Sequence, residues 1–444
     1  MIVFLLASCT VGPEFRVPDA AVPGQWSGAP KSSAADLTQW WKKFKDPELT
    51  ALVAEAMTGN LGVQQAEARV RQARATRSAA SARNWPWLSA NASTSSTDSS
   101  TDGGDTSFQG GFDASWEIDL FGGTRRTVEA AMADVAASEH DEQAARLSLA
   151  AEVAVTYAEL RGYQQQIAIA RDNLATQEKT TGITRQRTDA GFASRLDLAN
   201  AEAQVANTRA VVPSLEASAR QAIDALSVLL GQAPGTLVPR LSAIKPQPLY
   251  PAHVPTGLPA DLLRRRPDIL AAEARAHAAT ARIGVAIAEW FPKLSLGASL
   301  DQRALALDDW LTSSARVTSL GPTLNWSPLQ GGKIKADIRV QEALRDQAVL
   351  TYRQTVLDAL KEAEDAITAI AREDERQSLL KSALAANREA ADLAMRLYTQ
   401  GQVDFLNVLQ TQRAVFQSEE QLATSARNAA ANRIALCKAI GGGW

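Results

Sequence analysis

The chain has 444 residues, of which 45% are hydrophobic, 21% charged and 6% aromatic, a composition that excludes a disordered protein and an all-helical membrane protein. Its formal net charge of -3 gives no general electrostatic argument for binding nucleic acid. Three histidines and two cysteines lie far apart in the sequence, which argues against a zinc cluster, a disulfide framework or a local cysteine–histidine nucleophile pair.

The N-terminus begins with a short apolar run, residues 2–7, which is much shorter than the roughly 20 residues of a membrane-spanning helix. The junction Leu6-Ala7-Ser8-Cys9 has the form of a bacterial lipobox. Residues 1–8 are therefore interpreted as a truncated signal peptide without its usual basic region, and Cys9 as the site of lipid attachment. Thr10 after the cysteine favours the outer membrane, by resemblance to bacterial lipoproteins. The alternative is a short buried N-terminal strand with an incidental cysteine.

The following segment, residues 9–48, is predicted to be extended and lipid-anchored. Prolines punctuate it between residues 12 and 26 and no periodic apolar face is present, so it is expected to wrap along another surface. A disordered tether is the alternative that this composition leaves open.

The remainder of the chain matches itself at an offset of about 206 to 210 residues. The matches include Ala66-Glu67-Ala68-Arg69 with Ala272-Glu273-Ala274-Arg275, Trp85-Pro86 with Phe291-Pro292, Gly122-Gly123 with Gly331-Gly332, and Gly191 with Gly401. This self-similarity predicts two structural repeats, residues 49–231 and 260–444, joined by a proline-rich crossover at 232–259. Each repeat is expected to run helix, strand, loop, strand, long helix, turn and long helix.

Four segments have the two-residue alternation of β-strands, at about 86–96, 108–120, 293–301 and 317–327. Each has about ten residues, the length of a tilted strand that crosses a bilayer, and aromatic residues lie near the inner ends, as at a membrane interface. The connecting segments 95–107 and 303–316 are expected to be polar loops facing outside. The acids of the polar face are expected to line an aqueous lumen: Asp113, Glu117, Asp119 and Asp301.

Four strands cannot close a transmembrane barrel, because the smallest barrels have about eight strands and lipid does not tolerate open sheet edges. The barrel would then need other copies of the chain, and three copies would supply twelve strands. A soluble sandwich with one wet face is the alternative.

Long proline-poor segments follow the strands in both repeats, from Gly123 to about Thr188 and from Gly332 to about Thr399. About 65 helical residues correspond to roughly 100 Å at 1.5 Å per residue. Apolar residues and alanines recur every three or four positions, as in a coiled coil. Such helices suit a hollow cylinder that continues the barrel, and a solid intracellular coiled coil is the alternative.

Together, these features resemble the TolC-type outer-membrane efflux factors, in particular the NodT-like lipoprotein branch that partners resistance-nodulation-division pumps. The motifs are the lipobox, Gly-Pro-Glu-Phe at 12–15, WWKKFKDPEL at 40–49, two strand-to-Gly-Gly junctions and two Gly-centred turns. The resemblance implies a mixed α and β membrane protein, a homotrimer with a twelve-stranded β-barrel in the Gram-negative outer membrane and an α-helical coiled-coil tunnel in the periplasm.

The function that this resemblance implies is the exit duct of a tripartite efflux system. The duct would passively conduct drugs or other small molecules delivered by an inner-membrane pump and a periplasmic adaptor. It implies no enzymatic activity, no nucleic acid and no cofactor apart from the covalent lipid expected on Cys9. The exit duct of type I protein secretion shares the architecture and is the alternative. A further alternative is a lipid-anchored structural coiled-coil protein. No paired acids and no set of nucleophile and base residues suggest an enzyme.

In the family, the two interhelical turns lie at the inner end of the tunnel. Periplasmic tip and adaptor docking would then involve Gly191, Arg195, Leu196, Gly401, Phe405 and Leu406. The gate would involve Asp197, Tyr398, Asp404, Asn407 and Gln410. Gly191 and Gly401 are expected to adopt positive φ where antiparallel helices join, as ordinary helix C-caps also do.

Within this gate, Tyr398 and Asp197 match a pair that in the family tethers neighbouring coiled coils in the closed state. The resemblance therefore predicts that Tyr398→Phe loosens the closed state. Asn407 and Gln410 occupy positions that are acidic in better-known members, and Val403 stands where a basic residue is often found. A neutral ring would discriminate less between cations and anions, although Asp404 and Asp197 could supply charge.

Overall fold

The computed structural model describes residues 10–27, 38–99, 103–248, 250–251 and 256–442; Cys9 lies outside them. Helices account for most of these residues, and one four-stranded sheet for the rest of the regular structure. The helices are α1 (Pro47–Gly59), α2 (Leu61–Ala82), α3 (Gly123–Asp189), α4 (Arg195–Leu229), α5 (Val238–Leu241), α6 (Leu262–Arg265), α7 (Pro267–Ala288), α8 (Lys333–Thr399) and α9 (Phe405–Ala439). The strands are β1 (Trp87–Ser99), β2 (Gly103–Ile118), β3 (Lys293–Ala304) and β4 (Arg316–Asn325).

The helices have the order predicted from the sequence, and their lengths recur in the two halves of the chain. Helices α2 and α7 have 22 residues each, α3 and α8 have 67 each, and α4 and α9 have 35 each. Alanine, leucine, glutamate and arginine dominate them, and these residues favour the helix because they lose little side-chain freedom in it. Pro213 lies inside α4 without ending it.

Local signals set the start of α1. Asp46 is its N-cap, and the Asp46 carboxylate accepts hydrogen bonds from the backbone N–H groups of Glu48 at 2.8 Å and Leu49 at 3.1 Å. Pro47 occupies the first helical position, where its missing N–H costs nothing. The helix buries one face, formed by Leu49, Leu52, Val53 and Ala56.

The sheet is antiparallel throughout, with the strand order β1-β2-β3-β4. Its register pairs Ser89 with Asp113, Asp113 with Ser299, and Ser299 with Ser319, so odd-numbered residues of all four strands share one face. Even-numbered residues share the other face, and the predicted alternation is confirmed.

The first hairpin differs from the prediction of a polar loop at 95–107. Strand pairing continues to Ser99 and resumes at Gly103, with Ser95 opposite Ser107 and Thr97 opposite Asp105. The ladder is made by backbone groups, so it extends beyond the point where the side chains stop alternating between apolar and polar.

The chain divides into two compact units. The first contains residues 10–20, 67–141 and 268–355, including the sheet. Its helical core is built from small residues of α3 and α7, including Ala130, Ala133, Ala137, Ala276, Ala278 and Ala281.

The second unit contains the described parts of 21–66, 142–267 and 356–442. Its core includes an aromatic cluster in which Phe44 lies 5.4 Å from Trp40 and 5.2 Å from Tyr250, measured between ring centroids. Helix α5 lies inside the predicted crossover at 232–259, and Gln164 of α3 ties its end to α3 by donating a hydrogen bond at 2.7 Å to the backbone oxygen of Leu241.

Across the described residues, no helix is both long enough and apolar enough to cross a membrane.

Candidate functional site

The even-numbered face of the sheet is apolar and exposed. Phe112 is 53% exposed, Leu320 76% and Leu324 64%, and the same face carries Leu88, Leu296 and Leu300, which are also exposed. A contiguous apolar surface of this kind is unusual for a protein surrounded by water and indicates a second apolar phase or partner.

The odd-numbered face is polar and carries three of the four predicted lumen acids. Asp113 accepts a hydrogen bond from the Asn91 side chain. Glu117 lines a cavity of about 510 Å³ at the end of the sheet where β2 ends and β3 begins. Asp301 is only 3% exposed and forms an ion pair with Arg303, with Nη2 3.5 Å from Asp301 Oδ2.

Asp119, the fourth predicted lumen acid, lies just beyond the end of β2. Its carboxylate accepts hydrogen bonds from Arg125, from the backbone N–H at 2.9 Å and from Nε at 3.2 Å. Its position differs from the prediction because the chain leaves the sheet at Ile118, and the carboxylate then pairs with the first turn of α3.

Tryptophans gather at the end of the sheet where β1 and β3 begin and β2 and β4 end. The Trp116 indole N–H donates to the backbone oxygen of Asn84 at 3.0 Å, and the Trp326 indole N–H donates to that of Trp290, also at 3.0 Å. Their exposed neighbours include Trp85 and Trp87. An apolar ring with a satisfied N–H is the usual arrangement of tryptophan at a boundary between apolar and polar surroundings.

The segment immediately after the predicted lipidation site is held against α3 and α7. The buried Arg126 guanidinium donates to the backbone oxygen of Val11 at 3.0 Å and to the carboxylates of Glu14 and Glu129, both at 2.7 Å. The Phe15 ring stacks on His277, with centroids 4.6 Å apart. Val11, Glu14 and Phe15 therefore lie along the surface of α3 and α7.

The first interhelical turn joins α3 to α4. Gly191 has φ of +80°, and the Arg187 carbonyl accepts from the N–H groups of Phe192 at 2.7 Å and Ala193 at 3.2 Å, as in a helix C-cap. Arg195 and Leu196 are exposed, Leu196 to 69%.

The second turn, between α8 and α9, repeats this backbone. Gly401 has φ of +75°, and the Leu397 carbonyl accepts from the N–H of Gln402 at 2.9 Å. Leu406 is exposed, as are the predicted gate residues Asp404, Asn407 and Gln410.

Phe405 differs from the docking role predicted for it. It is 3% exposed and packs against Tyr398, with ring centroids 5.6 Å apart, in a cluster that also contains Ala201, Ala394, Val408 and Leu409. Because the aromatic side chain turns into this cluster, Leu406 beside it carries the exposed apolar surface.

Of the predicted gate pair, the Asp197 carboxylate has hydrogen-bond partners in its own turn, whereas the Tyr398 hydroxyl has none among the described residues. The Asp197 carboxylate accepts from Ser194, from the backbone N–H at 3.1 Å and from the hydroxyl at 2.8 Å. The Tyr398 hydroxyl is buried and has no hydrogen-bond partner among the described residues. A bond between these two residues in an assembly of several copies stays a prediction.

Sequence reasoning missed two residues of the turns. Phe192 is 76% exposed beside Gly191, and its signal was simply a large aromatic residue in a polar turn. Arg187 reaches the second turn from the end of α3, and its only local signal was a basic residue in the last turn of a helix.

The described part of the chain offers no metal or thiol chemistry. It contains no group of three histidine, cysteine, aspartate or glutamate side chains placed to hold a metal ion. Burial raises the pKa of the Cys437 thiol to about 12, so this side chain stays protonated and packs as a small apolar group.

Comparison with known proteins gives one consistent set of relatives. The family model described as outer membrane efflux protein matches residues 52–232 and 258–442. Nodulation protein T of Rhizobium leguminosarum bv. viciae is 34% identical, over 99% of this chain and 92% of that protein. The pyoverdine export outer membrane protein OpmQ of Pseudomonas aeruginosa is 33% identical, over 99% of this chain and 95% of that protein. The solved outer-membrane channel OprN is similar with a TM-score of 0.91 and 36% identity, over 98% of this chain and all of that one.

Proposed function

Since the chain belongs to the outer membrane efflux protein family, we propose that three copies of it close a twelve-stranded barrel continued by a periplasmic helical tunnel. The chain is the outer-membrane channel of an efflux system in a Gram-negative cell and not an enzyme. It conducts small molecules delivered by an inner-membrane pump and a periplasmic adaptor. The observation that carries this function is the family match, which covers both halves of the chain.

The exposed face of the sheet supports the barrel. One chain provides four strands, with β1 and β4 at the edges, and its even-numbered face would meet lipid. Lipid tolerates neither open edges nor unpaired backbone groups, so the edge strands require partners. Second and third copies are the simplest partners, since a ring of identical subunits pairs each β4 with the next β1. The tryptophans at one end of the sheet would then lie at the membrane interface.

A tandem structural repeat underlies this architecture in our proposal. Its boundaries are those predicted above, 49–231 and 260–444 with the crossover at 232–259. Equal helix lengths in the two halves support it. Two indole hydrogen bonds also support the repeat, because they occupy corresponding places in the two hairpins. One joins Trp116 to Asn84, and the other joins Trp326 to Trp290.

The polar face of the sheet would line the aqueous lumen. Asp113, Glu117 and Asp301 all lie on this face. Three copies would repeat the Asp113 and Glu117 carboxylates around the ring, favouring cations over anions in the barrel. Asp301 would contribute less, because it is only 3% exposed. Asp119 is paired with Arg125 and contributes less free charge to such a ring.

We propose that a covalent lipid on Cys9 anchors the chain, and that no other cofactor is needed. The contacts of Arg126 with Val11 and Glu14 support this, because they hold the residues that follow Cys9 in one place. Mass spectrometry of the purified protein tests the anchor: an acylated N-terminal peptide is expected for the wild type and must be missing from Cys9→Ala. An unmodified cysteine in the wild type would contradict it.

The tip of the helical hairpins would dock the periplasmic adaptor, and the pump partner would be of the resistance-nodulation-division class. Exposed apolar side chains in both turns support a docking surface at Phe192, Leu196 and Leu406. Arg195, Asp404, Asn407 and Gln410 surround them with polar groups. The exit duct of protein secretion is not favoured, because a relative of this chain is named for pyoverdine export.

Accumulation of a fluorescent efflux substrate tests the function in cells lacking the gene. Wild type should lower the accumulation again, whereas Gly191→Val with Gly401→Val should not, because valine is strained at the positive φ of both turns. Gly182→Ala, in the interior of α3, is the matched control and should behave as wild type. Unchanged accumulation on deletion would contradict a small-molecule duct and favour protein secretion.

A further inference from the structure

The two interhelical turns are joined by one side chain, Arg187. This residue lies in the last turn of α3, and its backbone oxygen accepts the hydrogen bonds that close the first turn. Its guanidinium extends to the second turn, where Nη1 donates to the Thr399 backbone oxygen at 3.1 Å. The Thr399 carbonyl is among the last four of α8, which have no partner inside the helix, so Arg187 caps α8 from another hairpin.

The same guanidinium covers the ring of Tyr398. The Arg187 carbon Cζ lies 4.8 Å from the centroid of the Tyr398 ring, within the range of a cation–π interaction. Phe405 contacts the ring edge-on, at 5.6 Å between centroids and an interplanar angle of 60°. These two neighbours place a ring that is only 3% exposed.

Among the described residues, no hydrogen bond of the Tyr398 hydroxyl contributes to this placement. The Tyr398 hydroxyl and the Arg187 Nε are both buried without a hydrogen-bond partner in the part of the chain that the structure describes. Unsatisfied buried groups favour any movement that exposes them to water. The stacking on Tyr398 and the Thr399 hydrogen bond therefore act together with the burial of the ring beside Ala201 of α4 to oppose this movement.

From this geometry we propose that Arg187 is a positioning residue of the gate. It latches the α3–α4 hairpin to the α8–α9 hairpin of the same chain and so keeps the inner end of the channel closed. Opening requires the two hairpins to move relative to each other, which breaks the stacking on Tyr398 and the bond to Thr399 together. This role rests on the proposed channel function. It attributes the resistance of Tyr398 to channel opening to contacts of its ring and not to its hydroxyl.

Single-channel recording of the full-length protein in planar lipid bilayers tests the latch. Arg187→Gln should raise the ratio of open to closed time about tenfold or more, since it removes both a cation–π contact and a charge-assisted hydrogen bond. Arg187→Lys keeps the charge but lacks the planar fork, so its effect should be intermediate. The matched control is Arg185→Gln, which removes an exposed arginine of the same helix whose ion pair is with Glu202 of α4, at 2.7 Å.

Tyrosine variants separate the ring from the hydroxyl. Tyr398→Leu should open the channel as strongly as Arg187→Gln, whereas Tyr398→Phe should gate like the wild type, because phenylalanine keeps the ring and removes a hydroxyl that has no partner among the described residues. The double variant Arg187→Gln/Tyr398→Leu should exceed the larger single effect by little, because both changes break one shared contact. A general loss of structure would instead lower the unfolding temperature together with conductance, so thermal unfolding is measured on every variant.

The results distinguish a latch formed by Arg187, a restraint through the Tyr398 hydroxyl, and the absence of channel function. Wild-type gating in Arg187→Gln, beside a conducting wild type, would overturn the latch and leave the channel function intact. Equal opening of Tyr398→Phe and Tyr398→Leu would assign the restraint to the hydroxyl and also overturn it. Absence of any conductance from the wild type would overturn the channel function, and the latch with it.

Discussion

Ser194 and Asp197 bond reciprocally at the start of α4. The Asp197 backbone N–H donates to the Ser194 hydroxyl oxygen at 3.1 Å, and the Ser194 backbone N–H donates to the Asp197 carboxylate, also at 3.1 Å. This capping box satisfies two backbone donors at once. At the start of α9, Asp404 occupies the corresponding N-cap but makes no side-chain cap hydrogen bond. The two turns thus have similar backbones and different restraints.

Removal of the cap should affect the first turn more than the second. We expect Ser194→Ala to destabilise α4 by about 1 kcal/mol, because the Asp197 backbone N–H loses its acceptor. Asp404→Ala, the matched change in the second turn, should have a smaller effect. Hydrogen exchange of the first turns of α4 and α9 measures both. A larger increase over the wild-type exchange rate at α9 in Asp404→Ala than at α4 in Ser194→Ala would contradict this difference.

Alanine should be unfavourable at the turn glycines and favourable inside a helix. Gly191→Ala and Gly401→Ala should each cost about 1 kcal/mol, since both glycines have positive φ, where a Cβ is strained. Gly182→Ala should stabilise α3 by about 0.5–1 kcal/mol, because its added Cβ meets no atom within 4 Å. Apparent unfolding temperatures in detergent should therefore shift in opposite directions, and a common direction would contradict the prediction.

Acid should weaken the contacts that hold the N-terminal segment. Burial raises the pKa of Glu129, but the hydrogen bonds and charges of His277 and Arg126 outweigh this effect and hold the pKa below its ordinary value of 4.5. A carboxyl group whose pKa is lowered on folding stabilises the folded state fully at pH values above its ordinary pKa. That stabilisation is lost as the pH falls through the lower, folded value.

Glu129→Gln should accordingly lower stability at neutral pH and reduce its dependence on pH in the acid range. The measurement is the unfolding temperature as a function of pH from neutral to below about 4.5. Glu139→Gln is the control, because it breaks an ion pair with Arg74 at the surface, where such pairs contribute little. The Arg74 side chain is 61% exposed and the Glu139 side chain 40%. If the two variants show the same pH profile, Glu129 makes no special contribution.

Arginine should be tolerated on one face of β4 and not on the other. Leu320→Arg places a charge on the face proposed to meet lipid, at a cost of about 2–4 kcal/mol near the middle of a bilayer. Ser319→Arg places the same charge on the polar face, where water would solvate it. We expect the first variant to be depleted from the outer membrane and the second to accumulate there. Equal amounts of the two in isolated outer membranes would contradict the assignment of the faces.

Sequence patterns predicted the features that depend on local periodicity. Alternation along residues 108–118 predicted the two faces of β2, because successive side chains of any strand point to opposite sides. Proline-poor, alanine-rich runs predicted α3 and α8 closely, since helix formation depends on nearby residues. The pairing of Thr97 with Asp105 was missed, because backbone ladders leave no mark on side-chain polarity.

The sequence by itself determined the helices, the strands, the two glycine turns and, through its motifs, the efflux family. Tertiary structure alone decided what Tyr398 and Phe405 contact. Arg187 and Thr399 are 212 residues apart, and their hydrogen bond exists only because two hairpins pack side by side. No local pattern can encode such a pairing, since it depends on the rotation and register of helices formed by distant parts of the chain.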